Sequence, residues 1–179
     1  MYENKDKSNM RISKDDREAF ERMIEKYEKP IFNVAYRMVN DYEDAMDITQ
    51  TAFVKAYENL DKYDPSHKFF SWLYKIAVNE SLNHINKRKR TAKLKRDFAM
   101  GQRTADEHFA QSETAELLQD GLMELKFDYR VVVILRHFMS FSYREISDIL
   151  GIPEKTTKSR LYTGRQQLRE ILVRQGYVR

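Results

Sequence analysis

Residues 142–169 read SYREISDILGIPEKTTKSRLYTGRQQLR, and this stretch decides the fold. Ser142 can cap a helix, and Glu145 three residues on completes an S-x-x-E capping box. Ile146, Ile149 and Leu150 give that helix one apolar stripe. Gly151 stands where the helix stops, because glycine enters the left-handed conformation without steric cost. Pro153 suits the first turn of a second helix, where its missing N–H would go unpaired anyway. That helix carries Lys155, Thr156, Thr157, Lys158, Ser159, Arg160, Tyr162 and Arg165 around a thin stripe of Leu161 and Leu168. A short helix, a glycine turn and a basic, hydroxyl-rich second helix form the pattern of a DNA-reading helix-turn-helix. Short side chains at its start let the helix approach a duplex, and flanking cations can neutralise phosphates. The same pair also occurs as a plain packing unit, and a basic helix is often a solvated face.

Charge distribution favours a polyanion. The net charge of +4 is mild, but residues 126–179 hold 11 Lys+Arg against 5 Asp+Glu. Residues 1–90 are balanced at 17 against 16, and residues 91–125 are acidic at 4 against 7. The positive excess therefore falls where the helix-turn-helix does. Only five Gly and three Pro interrupt 179 residues, so long helical periodicity points to an all-α protein. The absence of Cys removes disulfides and thiolate metal sites, and fits a reducing compartment. The first residues, MYENKDKSNM, lack the apolar core of a signal peptide, and no apolar run nears the roughly 20 residues of a membrane span. A cytoplasmic protein without membrane insertion is expected.

Outward from the motif, the chain divides into a disordered 1–12, a helical domain 13–91, a linker 92–112 and a helical domain 113–179. Ser13 opens a helix of about seven turns whose apolar positions run from Phe20 to Met38, with a kink expected at Pro30. Asp41 caps a second helix, buried along Ala45, Ile48, Ala52, Phe53 and Ala56, with Glu43, Asp44, Asp47, Gln50 and Lys55 opposite. Acidic residues there suit the helix dipole, and no paired E-x-x-H motifs exist to build a di-metal site. A docking face for a protein fits better than catalysis. After the loop DKYDPSHK comes FFSWLYKIAVNESLNHINKRKR, residues 69–90. Phe69, Phe70, Trp72, Leu73, Ile76, Ala77 and Ile85 supply a core face, whereas Lys75, Asn79, Asn83 and Lys87 fall four apart on another. Amides, cations and nearby rings suit single-stranded bases, although two solvated amides read equally well. Lys87, Arg88, Lys89 and Arg90 close the helix, where cations also suit the dipole. Past the linker, Leu117, Leu118, Leu122 and Leu125 mark a short helix. Asp128 can cap the next, with Val131 to Leu135 and Phe138 buried. Glu80 and His84 sit one turn apart, but nothing completes a catalytic or metal site, and no cofactor motif is present.

In order and spacing, three of these segments resemble bacterial RNA polymerase sigma factors of the extracytoplasmic-function (ECF) class, within the primary-sigma superfamily. YEDAMDITQTAFVKAYENL resembles the family's core-polymerase-binding helix, residues 69–90 its promoter-melting helix, and residues 143–169 its C-terminal helix-turn-helix. The likeness runs from about Phe20 to Leu172, sparing the linker. The chain departs from the usual pattern at 126–130, at Lys155-Thr156 and at Thr163-Gly164.

The resemblance implies a sigma subunit that binds core RNA polymerase, directs it to promoters and promotes melting, with no catalytic residue, metal or cofactor of its own. Asp44, Asp47, Gln50 and Phe53 would contact polymerase. The loop of Ser66, His67, Lys68 and Phe69 would take a flipped base of the −10 element, Asn79 and Asn83 would read its neighbours, and Lys87 and Arg88 would assist. Lys155, Thr156, Lys158, Ser159, Arg160 and Tyr162 would meet the −35 duplex, with Arg165 on phosphate. The acidic linker would thread through the polymerase, and an anti-sigma factor is expected as a further partner. Two other classes fit the residues: a stand-alone helix-turn-helix regulator, and an adaptor or anti-sigma-like protein without DNA binding.

Overall fold

In the computed structural model, which describes residues 17–64, 66–95 and 113–177, the regular elements are helical. They are α1 (Arg17–Val39), α2 (Tyr42–Glu58), a short 3-10 turn (Leu60–Lys62), α3 (Phe69–Lys95), α4 (Glu113–Glu124), α5 (Phe127–His137), α6 (Tyr143–Leu150) and α7 (Glu154–Arg174). The all-α expectation holds among the described residues.

Small residues set the packing of the first unit. Ala45, Ala52 and Ala56 of α2 are fully buried, which lets that helix lie close to α1 and α3. Met23, Ile31, Val34, Ala35 and Met38 of α1 and Leu73 and Ala77 of α3 close the same core. Each large apolar side chain so buried contributes about 1.5–3 kcal/mol. Asp41 caps α2 as expected, its carboxylate accepting from the Asp44 N–H at 3.0 Å. α1 continues through Pro30 as one helix, because Ile31 and Val34 on its buried side hold it against the core despite the lost backbone hydrogen bond. The expected start at Ser13 lies outside the described residues.

The second unit, α4 to α7, surrounds Leu122, Val131 to Leu135, Ile146 and Ile149. The capping box at Ser142 and Glu145 is present, and Gly151 adopts φ +63°. Three expectations shift. Lys126, not Asp128, takes the N-cap position of α5, so Asp128 lies in the first turn, where its charge suits the dipole. Phe138 is half-buried, lying under the Arg37 guanidinium at 3.7 Å rather than deep in the core. α3 runs on to Lys95, into the stretch read as linker.

The two units share one continuous core. Phe70 stacks on Phe141 at 5.4 Å, and Tyr74 meets the same ring edge-on at 4.9 Å. Arg130 of α5 reaches across to donate to the Met38 carbonyl at 2.6 Å. Sequence alone left the mutual placement of the units undetermined; these residues settle it.

Candidate nucleic-acid and polymerase interface

The outward face of α2 begins with Asp44. Its Oδ2 accepts from His84 Nε2 at 2.9 Å and from Arg88 Nη1 at 3.3 Å, both on α3. One carboxylate thus braces two helices. Lys55 and Glu80 form a second brace at 2.7 Å. Asp47 and Gln50 are exposed, whereas Phe53 is only 7% exposed and supports the face from within the core. Val54 and Tyr57, four and seven residues after Gln50, are exposed beside them. Sequence reasoning missed this apolar pair because the alanine-rich stripe accounted for the helix's burial. The i, i+4, i+7 spacing from Gln50 was the available signal.

The loop before α3 is fixed by its own hydrogen bonds. The Tyr63 hydroxyl donates to the His67 carbonyl at 2.5 Å, and the Ser66 N–H donates to Asp64 Oδ1 at 2.8 Å. That N–H, with the Ser66 hydroxyl, holds the Asp64 carboxyl below its ordinary value. Ser66, His67 and Lys68 are exposed. Phe69 is buried and forms a floor with Tyr63 at 5.2 Å and Trp72 at 5.5 Å. Along α3, Lys75, Asn79, Asn83 and Lys87 are all exposed, so the predicted stripe exists as a surface. Lys89 and Arg90 extend it, and Asp47, Thr51, Asn83, His84 and Lys87 line a groove between α2 and α3.

In the helix-turn-helix, the Ser147 hydroxyl donates to the Ile152 carbonyl and ties the turn. Lys155, Ser159, Tyr162 and Arg165 of α7 are exposed, Tyr162 at 69%. Thr156 is half-buried, and Lys158 pairs with Glu154 at 2.8 Å while lying 5.4 Å over the Tyr143 ring. Arg160 is half-buried and pairs with the exposed Asp128 of α5 at 3.0 Å. It braces α7 on α5 instead of joining the outward row.

Sequence reasoning also missed an ion pair between Lys68 and Glu145, 2.9 Å long and 77 residues apart in the chain. Burial, the largest single influence, pushes the Glu145 carboxyl up. The hydrogen bonds from Lys68 and Ser142, with the Lys68 charge, outweigh burial and leave it below its ordinary value. No local pattern could have joined residues so distant. Among the described residues, no three His, Cys, Asp or Glu gather as a metal site, and no helix is long and apolar enough to cross a membrane.

Helices throughout the described residues, with an amide-and-cation helix in one unit and a helix-turn-helix in the other, define a two-part, nucleic-acid-binding class of protein. Residues 23–91 match the Sigma-70 region 2 family, and residues 115–168 match Sigma-70, region 4. The chain is 34% identical over 173 residues to the ECF RNA polymerase sigma factor SigW of Bacillus subtilis, covering 90% of this chain and 92% of that one. It is 29% identical over 174 residues to the RNA polymerase sigma-H factor of Pseudomonas aeruginosa, covering 90% of each. The chain belongs to the ECF family of RNA polymerase sigma factors. The fold is similar to that of the sigma factor RpoE from Bartonella quintana, solved in complex with the anti-sigma factor NepR, with a TM-score of 0.73 and 22% identity, covering 87% of this chain and 97% of that one.

Proposed function

We propose that this protein binds core RNA polymerase, directs it to promoters with its two units and melts the DNA, leaving the phosphodiester chemistry to the polymerase. The exposed row Lys75, Asn79, Asn83 and Lys87 carries this reading, because it lies beside a loop floored by three aromatic rings in a chain that also holds a basic helix-turn-helix. Residues up to Lys95 form the polymerase-binding and −10 domain, 96–112 the linker, and 113–179 the −35 domain.

On α2, Asp47 and Gln50 contact polymerase, with Val54 and Tyr57 as apolar neighbours, while Asp44 holds His84 and Arg88 in place. The loop at Ser66, His67 and Lys68 receives a base of the single-stranded −10 element above Phe69. Extruding that base costs a few kcal/mol, returned by the pocket, while Asn79 and Asn83 read the neighbouring bases. Lys155, Ser159, Tyr162 and Arg165 form the duplex-facing row, with Thr156 and Lys158 at its edge. Arg160 acts through its brace to Asp128. Such a protein works in the cytoplasm, where polymerase is, and an anti-sigma factor as partner follows from the family and from the complex in which the RpoE relative was solved.

Run-off transcription with bacterial core polymerase on a promoter pool tests the reading. New start sites that depend on the protein, and that are reduced by Asn79→Ala through slower open-complex formation, are expected. A duplex footprint from the protein alone, with no new starts, would instead mark a stand-alone regulator. A tight polymerase or sigma partner, with neither starts nor footprint, would mark an adaptor.

A further inference from the structure

The loop that carries Ser66, His67 and Lys68 is met by the other half of the molecule. Lys68 Nζ lies 2.9 Å from Glu145 Oε1 and 5.3 Å over the Phe70 ring. Glu145 belongs to α6 of the helix-turn-helix. Its other oxygen is already committed, accepting from the Ser142 N–H and the Ser142 hydroxyl, each at 2.9 Å. The capping box therefore aims Oε1 outward in a fixed direction. The apolar seam beneath, where Phe70 and Tyr74 pack on Phe141, delivers that oxygen to Lys68. A carboxylate and a phosphate both accept charge-assisted hydrogen bonds from an ammonium group.

We propose that Glu145 is an internal substitute for a DNA phosphate, held on Lys68 by the packing of the two units, so that single-stranded DNA must displace the helix-turn-helix carboxylate to engage the −10 loop. This rests on the reading of that loop as a DNA site. The free chain then carries a built-in competitor at Lys68, and capture of the strand loosens one tie between the units.

The test is a double-mutant cycle with the full chain and a fluorescein-labelled, single-stranded DNA 12-mer of mixed sequence, since phosphate contacts carry no sequence information. Glu145→Gln removes the charge but keeps a capping-box side chain. It is expected to tighten binding about two- to fivefold at low salt, the range of an exposed ion pair. The gain shrinks as salt rises. Lys68→Gln abolishes the gain, so it costs E145Q more than it costs the parent. Equal binding by parent and E145Q overturns the proposal, as does a gain that persists when Lys68 is also Gln. Should E145Q fail to fold, Glu145→Asp, which shortens the reach to Lys68 while keeping the charge, gives a second arm. It is expected to tighten binding in the same Lys68-dependent way, and equal binding there overturns the proposal. Run-off transcription separates the two readings. Core-dependent starts without coupling in the cycle remove the competitor and leave the sigma role. Coupling without such starts keeps the contest at Lys68 and removes the sigma role.

Discussion

Arg130 shows what one residue does in this molecule. The residue is 7% exposed, and its guanidinium donates to the carbonyls of Met38 at 2.6 Å, Met123 at 2.7 Å and Leu125 at 3.0 Å. Those carbonyls sit at the C-terminal ends of α1 and α4, where helices leave acceptors without backbone donors. Burial lowers the pKa of Arg130, yet three carbonyl oxygens in reach keep the charge worthwhile. Arg130→Met fills similar space and strands all three acceptors, so a loss of about 2–4 kcal/mol in urea unfolding is expected. Thr157 is the opposite case. It is fully buried, and its hydroxyl has no hydrogen-bond partner among the described residues. Thr157→Val keeps the shape and removes the orphan, and should raise stability by about 1 kcal/mol in the same measurement. Loss of stability there would mean that the hydroxyl has a partner after all.

Elements meet with their own electrostatics. His137 ends α5 and faces Arg165 of α7 as well as its neighbour Arg136. Burial, then Arg165 and Arg136, lower its pKa below 6.5 in the folded chain. Unfolding restores the ordinary value, so below pH 6.5 the unfolded chain binds more protons and stability falls as pH falls. His137→Gln should therefore lose less in melting temperature between pH 7.5 and 5.5 than the parent does. Element boundaries were legible wherever a cap spoke locally: Asp41, Ser142 with Glu145, and Gly151 act through hydrogen bonds or backbone angles within a few residues. Asp128 misled because Lys126 starts α5 without a side-chain cap, so the helix began before the residue best suited to cap it. Of the candidate surfaces, the α3 stripe was legible because exposed residues four apart must share a face. Arg160 and Phe53 were not, since whether they point outward depends on the helices behind them. The contacts of Arg130, Phe141 and Glu145 with the first unit join residues far apart in the chain, and no periodicity encodes them.

At the scale of the whole molecule, the closed form and the proposed task are in conflict, and the magnitudes show how far. The −10 and −35 elements are separated by about 85 Å of duplex at 3.4 Å per base pair. A folded chain of 179 residues has a radius of gyration of about 16 Å, so it is roughly half as wide as that span. Lys68 and Glu145, one in each unit, are held 2.9 Å apart. The 17 residues between Lys95 and Glu113 could bridge at most about 60 Å if fully extended. Only a chain whose units have parted can therefore touch both elements. The seam at Phe70, Tyr74, Phe141 and Arg130 must then open on the promoter, at a cost that polymerase and DNA contacts offset. Dyes at Glu25→Cys and Glu170→Cys, both exposed positions in a chain without other cysteines, can follow this. Energy transfer should be high in the free protein and fall sharply with core polymerase and promoter DNA. Arg130→Met should lower it in the free protein, because the tie to Met38 is lost. An unchanged transfer efficiency on the transcribing complex would mean that one molecule does not read both elements, and would confine this protein to whichever element its footprint still covers.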